Sequence, residues 1–496
     1  MSKVHEYITT ELINYETERV PITKSVDWNM KDHIERCTNV ANGWYSEGEN
    51  DGKRPYKNIV EPIKNVALRT EGFDVKDIVP YVDNSDKYHL SFFIKKYHPQ
   101  WARENEIDTF IDELVESSVI YDLALVKNVN EARPEVIPLQ QIAFCDQTDI
   151  MNGAICIKHQ YSVLELLEFK GKWNADKIDE AIIMAEAEKS NQDDNKKTRT
   201  PSKYIEVYEL HGTFPNSWLG GDEDKYTPQM HIVCYYTSDD NEKHGITLFD
   251  GKNKKLKDNF RALVINKVFG RTCGKSLIEI MFDPQAFVNY SEIKIKKMLD
   301  AVSVVLTQTS SDELSGRKIN NLKNGEILKH EDGKPLTQIQ LTANNLPAFQ
   351  NKQNDVENDA RIAGSASDPQ LGTSPTSGTP FALQNLVVQQ GQGIHEYRQG
   401  KIATFVSDQL YKDWILKFIV KEMDGGKDFS EELTVDELQD VAERIAKKKT
   451  KKEMAEMMFA GKVVTREEKE NIMNKYKEEA LSGGSRRFFK ELKGEL

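Results

Sequence analysis

From Ser374 to Val406 the chain reads SPTSGTPFALQNLVVQQGQGIHEYRQGKIATFV. A loop of Ser, Thr, Gly and Pro gives way at once to a long helical pattern. Pro380 suits the first helical turn, where its missing N–H costs nothing, and Thr379 before it is a good N-cap. Phe381, Leu386, Val387, Ile394, Tyr397, Ile402 and Phe405 predict one apolar stripe. Gly391, Gly393 and Gly400 interrupt that pattern, each costing about 1 kcal/mol relative to Ala. Glycines inside a helix point to close backbone approach or to a bend. Any fold for this chain must therefore accommodate a long helix with a supple segment leading into it.

The 496 residues suggest two to four domains. Hydrophobic content of 38% beside 30% charged residues describes a core-forming chain with a large hydrated surface. No apolar run is long enough to predict a membrane span, and MSKVHEYITTELINYE lacks the apolar core of a signal peptide. Cys37, Cys145, Cys156, Cys234 and Cys273 show no CxxC spacing, so buried free thiols in a reducing compartment are expected. A net charge of −13 argues against tight non-specific binding of nucleic acid over the whole surface. It leaves room for a conduit through which a duplex slides without being held.

Residues 1–50 are polar and read as peripheral. YKNIVEPIKNVALRT at 56–70 and QWARENEIDTFIDELVESS at 100–118 read as amphipathic helices. Strand-like runs follow at 119–129, 135–145 and 153–162, then helices at 162–169 and 175–189. Residues 190–202 read as an exposed loop. Strands return at 204–211, 230–237 and 245–249, with Asp250-Gly251 as a turn signal. Residues 50–270 thus predict a mixed α+β domain around antiparallel strands. A helix from about Pro284 to Leu306 follows, with Phe287, Ile293, Met298, Leu299, Val302 and Val305 as its apolar contacts. A hairpin of 325–330 with 335–341 comes next, then a polar-faced helix from Leu346 to Ala363. Capping boxes at Thr434/Glu437 and Thr465/Glu468 mark C-terminal helices. No internal repeat of fixed period is present.

Two stretches resemble one family. The loop and helix of 374–406, with its TPF.LQ and IHEYRQGKI wording, and GRTCGKSLIEIMFDPQAFVNYSEIKIKKMLDA at 270–301, with Gln285 and Asn289 near its helix start, are similar to portal proteins of tailed bacteriophages. Family-like wording covers 265–406 clearly and 55–70 weakly. The resemblance implies an α+β, portal-like fold: an N-terminal region and β-containing wing (1–283), a first stem helix (284–310), a small α/β clip (311–345), a second stem helix (346–364), a tunnel loop (365–380), a long wing helix (381–406) and a helical crown (407–496). It implies a homo-oligomeric ring of about twelve copies at one capsid vertex of a virion assembled in the host cytoplasm. Double-stranded DNA would pass through it during packaging and ejection. Terminase, the major capsid protein and a head-completion adaptor would be its partners, with no membrane. Tunnel-loop residues Ser365, Ser367, Gln370, Thr373, Ser374, Thr376 and Ser377 would line the channel. Arg317, Lys318 and Lys323 in the clip would touch DNA backbone.

No catalytic constellation stands out, and no enzyme activity, cofactor or metal is expected. GRTCGKS at 270–276 has three residues between its glycines where a P-loop needs four, so a tight turn with Lys275 solvated or paired is the simpler reading. His395, beside Glu396 and Arg398, fits polar packing or an inter-subunit contact better than a ligand. KKKTKK at 447–452 reads as a solvated helix face, with contact to packed DNA as the second reading. Lys294, Lys296 and Lys297 fit solvent or salt bridges. The competing functions are an ATP-driven packaging motor or nuclease, and a capsid shell or scaffold protein.

Overall fold

The computed structural model describes residues 2–44, 57–80, 88–129, 133–190, 204–222, 224–237, 243–303, 306–308, 337–339, 346–366, 370–371, 381–424 and 434–482. The architecture is α+β with long helices. The chain divides into two compact units: the first holds 1–36, 68–276 and 393–496, the second 37–67 and 277–392.

In the first unit, β3 (Ala124–Lys127), β4 (Glu135–Ile137) and β10 (Phe260–Leu263) form a sheet in the order β10-β3-β4. Strands β5 (Ile142–Phe144), β6 (Ile155–Tyr161), β7 (Ile205–Pro215), β8 (Tyr226–Thr237) and β9 (Lys243–Lys252) form a second sheet in chain order. All pairings are antiparallel. A short hairpin, β1 (Val20–Thr23) with β2 (Val26–Trp28), precedes them. Alternation sorts the two faces of the larger sheet. Val207, Ile232, Cys234, Ile246 and Leu248 point to one face and pack with Leu166, Ile178 and Ala181 of helices Val163–Glu168 and Ala175–Ser190. Phe169 and Trp173 stack at 4.2 Å beside them.

The opposite face is covered by helix Lys3–Thr17, which the sequence marked as peripheral. Its His5 bonds Thr247 at 2.9 Å, Tyr7 meets Phe144 and Phe214 edge-on, and Ile8 is fully buried. Its few apolar residues recur at Val4, Ile8 and Tyr15, which is enough for one buried face. Two further expectations are corrected here. Residues 119–121 finish the helix Ile107–Tyr121 rather than opening a strand. Asp250 and Gly251 lie inside β9, not in a turn. There a Cβ on Gly251 would come within 3.0 Å of the Phe249 ring, so the ring occupies the space a side chain would take.

The helix Phe381–Phe405 continues as a π-helix over Val406–Ile415 and then as an α-helix over Leu416–Asp424, well past the predicted end at 406. Both predicted capping boxes close: Glu437 N and Glu468 N each reach the threonine hydroxyl three residues earlier at 3.4 Å, and both glutamates answer to the threonine amides. All five cysteines are buried thiols. No helix among the described residues is long and apolar enough to cross a membrane.

In the second unit, helices Phe282–Ser303 and Leu346–Ala363 pack together. β11 (Leu306–Gln308) pairs antiparallel with β12 (Thr337–Ile339). Thr337–Ile339 was expected to pair within a 325–341 hairpin; its described partner is 306–308, and 325–330 lies outside the described residues.

Candidate functional site

The IHEYRQGKI segment of the long helix carries a buried polar network. His395 and Arg398 sit one turn apart on the buried face and lead down to Ile402 and Phe405. The predicted stripe is thereby corrected: Ile394 and Tyr397 are 57% and 55% exposed. Arg398 Nε donates to both Glu71 oxygens at 2.9 Å. Its Nη1 donates to Asp122 at 3.0 Å, and its Nη2 to the Ser118 carbonyl at 3.1 Å. His395 Nδ1 meets Glu71 at 2.9 Å. Glu71 and Asp122 are fully buried.

The physical reason lies in the helix ends. Glu71 closes the helix Val60–Glu71, and Asp122 caps the helix Ile107–Tyr121 in a left-handed conformation. Two C-terminal ends, with their outward carbonyls and negative dipole ends, are met by one guanidinium. Burial pushes the Asp122 carboxyl up to about 6, against the opposing pull of Arg398 and the Asn266 amide.

Asp122 also accounts for the GRTCGKS turn. Its Oδ2 accepts from Asn266 N at 2.7 Å. A Cβ on Gly274 would fall 1.9 Å from that same oxygen, so only glycine lets the turn close over the carboxylate. The turn's amides are spent internally: Thr272 N on the Gln147 carbonyl, Gly274 N on the Asp122 carbonyl and Lys275 N on the Asn266 carbonyl. Arg271 donates to the Gly274 carbonyl at 3.0 Å and lies over Trp28. This turn presents no nest of free N–H groups to a phosphate, and Lys275 is exposed.

A second buried cluster was not singled out by sequence. Glu209 on β7 accepts from Lys127 Nζ at 2.6 and 2.7 Å, and pairs with His159 and His211 at 2.8 Å each. Burial would raise this carboxyl, but hydrogen bonds from His159 and His211 and the Lys127 charge hold it well below the usual range. Four contacts fill its two oxygens, so the group ties β3 to the larger sheet and has no lone pair left for a substrate. Only folding brings β3, β6 and β7 together here; no local spacing signals it.

In the second unit, Gln285 and Asn289 are both buried. Gln285 accepts from Ile59 N at 3.0 Å and donates to the Lys57 carbonyl at 2.8 Å and to Asn289 at 2.9 Å. Gln353 bonds Glu292 at 2.7 Å, and Glu357 is paired with Lys57. The inward row of helix Phe282–Ser303 thus runs through Gln285, Val288, Ser291 and Ile295. The predicted contacts Phe287 and Leu299 are 38% and 49% exposed instead. Lys294 lies over Tyr290 at 4.5 Å, and Lys296 and Lys297 are exposed.

Of the predicted tunnel-loop residues, Ser365 follows the helix end with a left-handed φ of 53°, and Gln370 stands half-buried in a turn. Ser367, Thr373, Ser374, Thr376 and Ser377 lie outside the described residues, as do Arg317, Lys318 and Lys323. The lysines of 447–452 are exposed along the helix Val435–Phe459, while Thr450 among them is buried; Lys449 pairs with Glu479 at 3.8 Å. That is the solvated helix face the sequence suggested first.

No family model and no curated protein matches the chain. Among solved structures, it is similar to a chain in the neck of an empty gene transfer agent particle, computed with C6 symmetry. Identity is 9% and the TM-score 0.36, over 85% of this chain and 96% of that chain. It is also similar to a chain in the virion of a native gene transfer agent particle, with 9% identity and a TM-score of 0.31 over 80% and 96% of the two chains.

Proposed function

We propose that this chain is a portal-type subunit, a non-enzymatic protein that closes into a ring around a DNA channel at one capsid vertex. One observation supports this reading above the others. The long helix is pinned on its inner face by His395 and Arg398, while its outer face leaves Ile394 and Tyr397 more than half exposed, the Tyr397 ring met only by Lys401 of its own helix among the described residues. Gly393 and Gly400 lie in that helix with nothing within 4 Å of an added Cβ. The close approach expected at these glycines is not made by the described residues. In the second unit Phe287, Tyr290, Leu299 and Ile362 are likewise exposed. Large apolar side chains left in water fit a protein that works through assembly, and head-to-tail copies closing a ring would cover them.

On this reading the 365–380 segment lines the channel and the 311–345 segment carries Arg317, Lys318 and Lys323 toward the duplex. The ring sits at one vertex of the virion and serves as the docking site for terminase during packaging, for the major capsid protein and for a head-completion adaptor. Class averages of the purified chain in negative stain test it: rings with a central hole are expected. A monomer at every concentration up to tens of micromolar overturns it, closed shells favour the scaffold reading, and steady ATP hydrolysis favours the motor.

A further inference from the structure

A half-open cavity of about 460 Å³ lies in the first unit, within the size range of ligand sites. It forms where the loop after β3, the segment leading into β10, and the π-helix with its following helix come together. Its charge is unusual for this chain. Among the described residues, Arg133, Lys254, Arg261, Lys417 and Lys421 line it, against Asp258 and Asp413, in a protein of net charge −13. Asp413 is already bonded to Arg261 at 3.2 Å. Lys417 and Lys421 stand one turn apart, are exposed, and have no partner among the described residues. Like charges at that spacing repel, and an anion between them relieves the cost.

The π-helix is the second observation. Ten residues wound with i→i+5 bonds are rare, and such windings recur at functional sites. Here the winding ends on Asp413, Trp414 and Ile415, all of which line the cavity.

The aromatic groups decide the ligand class. Trp101 is fully buried and its Nε1 donates to Glu422 at 2.9 Å. Trp414 has the Arg261 guanidinium over its ring at 5.2 Å. Trp414 is only 8% exposed, so neither indole offers an open face on which a base could stack. What remains accessible is the half-buried Phe418, which packs on Trp101, and a rim of flexible, cationic side chains. We propose that this cavity binds an acidic peptide segment of a partner protein, with carboxylates held by Lys417 and Lys421; Arg133 at the rim already donates to the Glu106 carbonyl at 2.6 Å. The proposal stands apart from ring formation and survives if the chain proves monomeric.

Titration of the full chain with a fluorescein-labelled, Glu- and Asp-rich octapeptide, read by anisotropy, tests it. Saturable binding is expected, weakening as salt rises from about 0.05 M to about 0.5 M. The double reversal Lys417→Glu/Lys421→Glu should weaken it about tenfold. Reversal of the exposed Lys451 and Lys452 should leave it unchanged. Lys417→Ala, which adds no charge, gives a smaller loss and guards against misfolding of the double variant. Absence of saturable binding overturns the proposal. Equal loss in the Lys451/Lys452 variant overturns it too, and so does tighter binding of a short oligonucleotide or of pyrophosphate than of the peptide.

Discussion

Between β7, β8 and β9 and the helices over them, the contacts are apolar: Val207, Ile232, Ile246 and Leu248 against Leu166 and Ile178. At residues 395–398 of the long helix the contacts are ionic, with Glu71, Asp122, His395 and Arg398 all buried. Both regions belong to the same compact unit. An apolar core stabilises in proportion to the area removed from water and is tolerant of direction. A guanidinium shared between two carboxylates and a carbonyl is satisfied in one orientation only. The sheet is thereby made stable, whereas the long helix is made directional: its charges dictate which face turns inward and leave Ile394 and Tyr397 outside.

The sharpest test of that difference is removal of one charge. Glu71→Ala leaves Arg398 and His395 buried without their main partner, and unfolding free energy should drop by about 3–5 kcal/mol. Paired with Arg398→Ala, the double variant should lose less than the sum of the two singles, with a coupling of about 0.5–3 kcal/mol. Urea denaturation of all four chains measures both; strict additivity would show that the contacts do not act as a unit. In the sheet, Leu248→Ala should cost about 2–5 kcal/mol through a cavity, and that loss should not vary with salt.

Acid tests the buried polar groups of the first unit together. Burial holds two histidines down to about 4: His98, on the helix Tyr88–Glu104 and 2.9 Å from the Tyr411 hydroxyl, and His231 on β8. The unfolded chain therefore takes up protons first, so this stability is intact above pH 6.5 and is lost as pH falls through about 4. The two together contribute on the order of a few kcal/mol. Asp122 acts in the opposite sense. With its folded value raised to about 6, its contribution is full below about pH 4 and lost as pH rises through 6. Two groups outweigh one, so stability should fall between pH 6.5 and 4. His98→Asn should flatten that slope, measured by denaturation midpoints across the range; an unchanged slope would place the proton uptake elsewhere.

The same contrast explains what could be read from the chain beforehand. The sheet was legible because alternation is local: 204–211 and 230–237 announce strands by themselves, and β7 and β8 contain all of them but Tyr204. Helix Leu346–Ala363 was placed with both ends as observed. The long helix was legible as a helix but not in its orientation. Its apolar residues pointed to Ile394 and Tyr397, whereas its position is set by Glu71 and Asp122, more than 270 residues away in sequence. Nothing within a helical window signals a partner at that distance. Gly274 was noticed as part of a turn, but its reason, the Asp122 oxygen, is again remote. Gly274→Ala should therefore cost about 1–3 kcal/mol by overpacking, although by local spacing it looks harmless.

The smallest effect is the most instructive about assembly. Gly393 and Gly400 lie in helical backbone with open space where a Cβ would stand. In a lone subunit each change to Ala should stabilise by about 1 kcal/mol, because the helix loses its most flexible residue and nothing clashes. In a ring the sign depends on what faces the helix. If a neighbouring backbone closes on this surface, the added methyl groups will raise the subunit's melting temperature and at the same time shift the population from rings to monomers. Melting and light scattering on the same Gly393→Ala/Gly400→Ala sample separate the two contributions. A more stable subunit that still assembles fully would mean that the outer face of the long helix is not a seam, and that the glycines serve bending rather than contact.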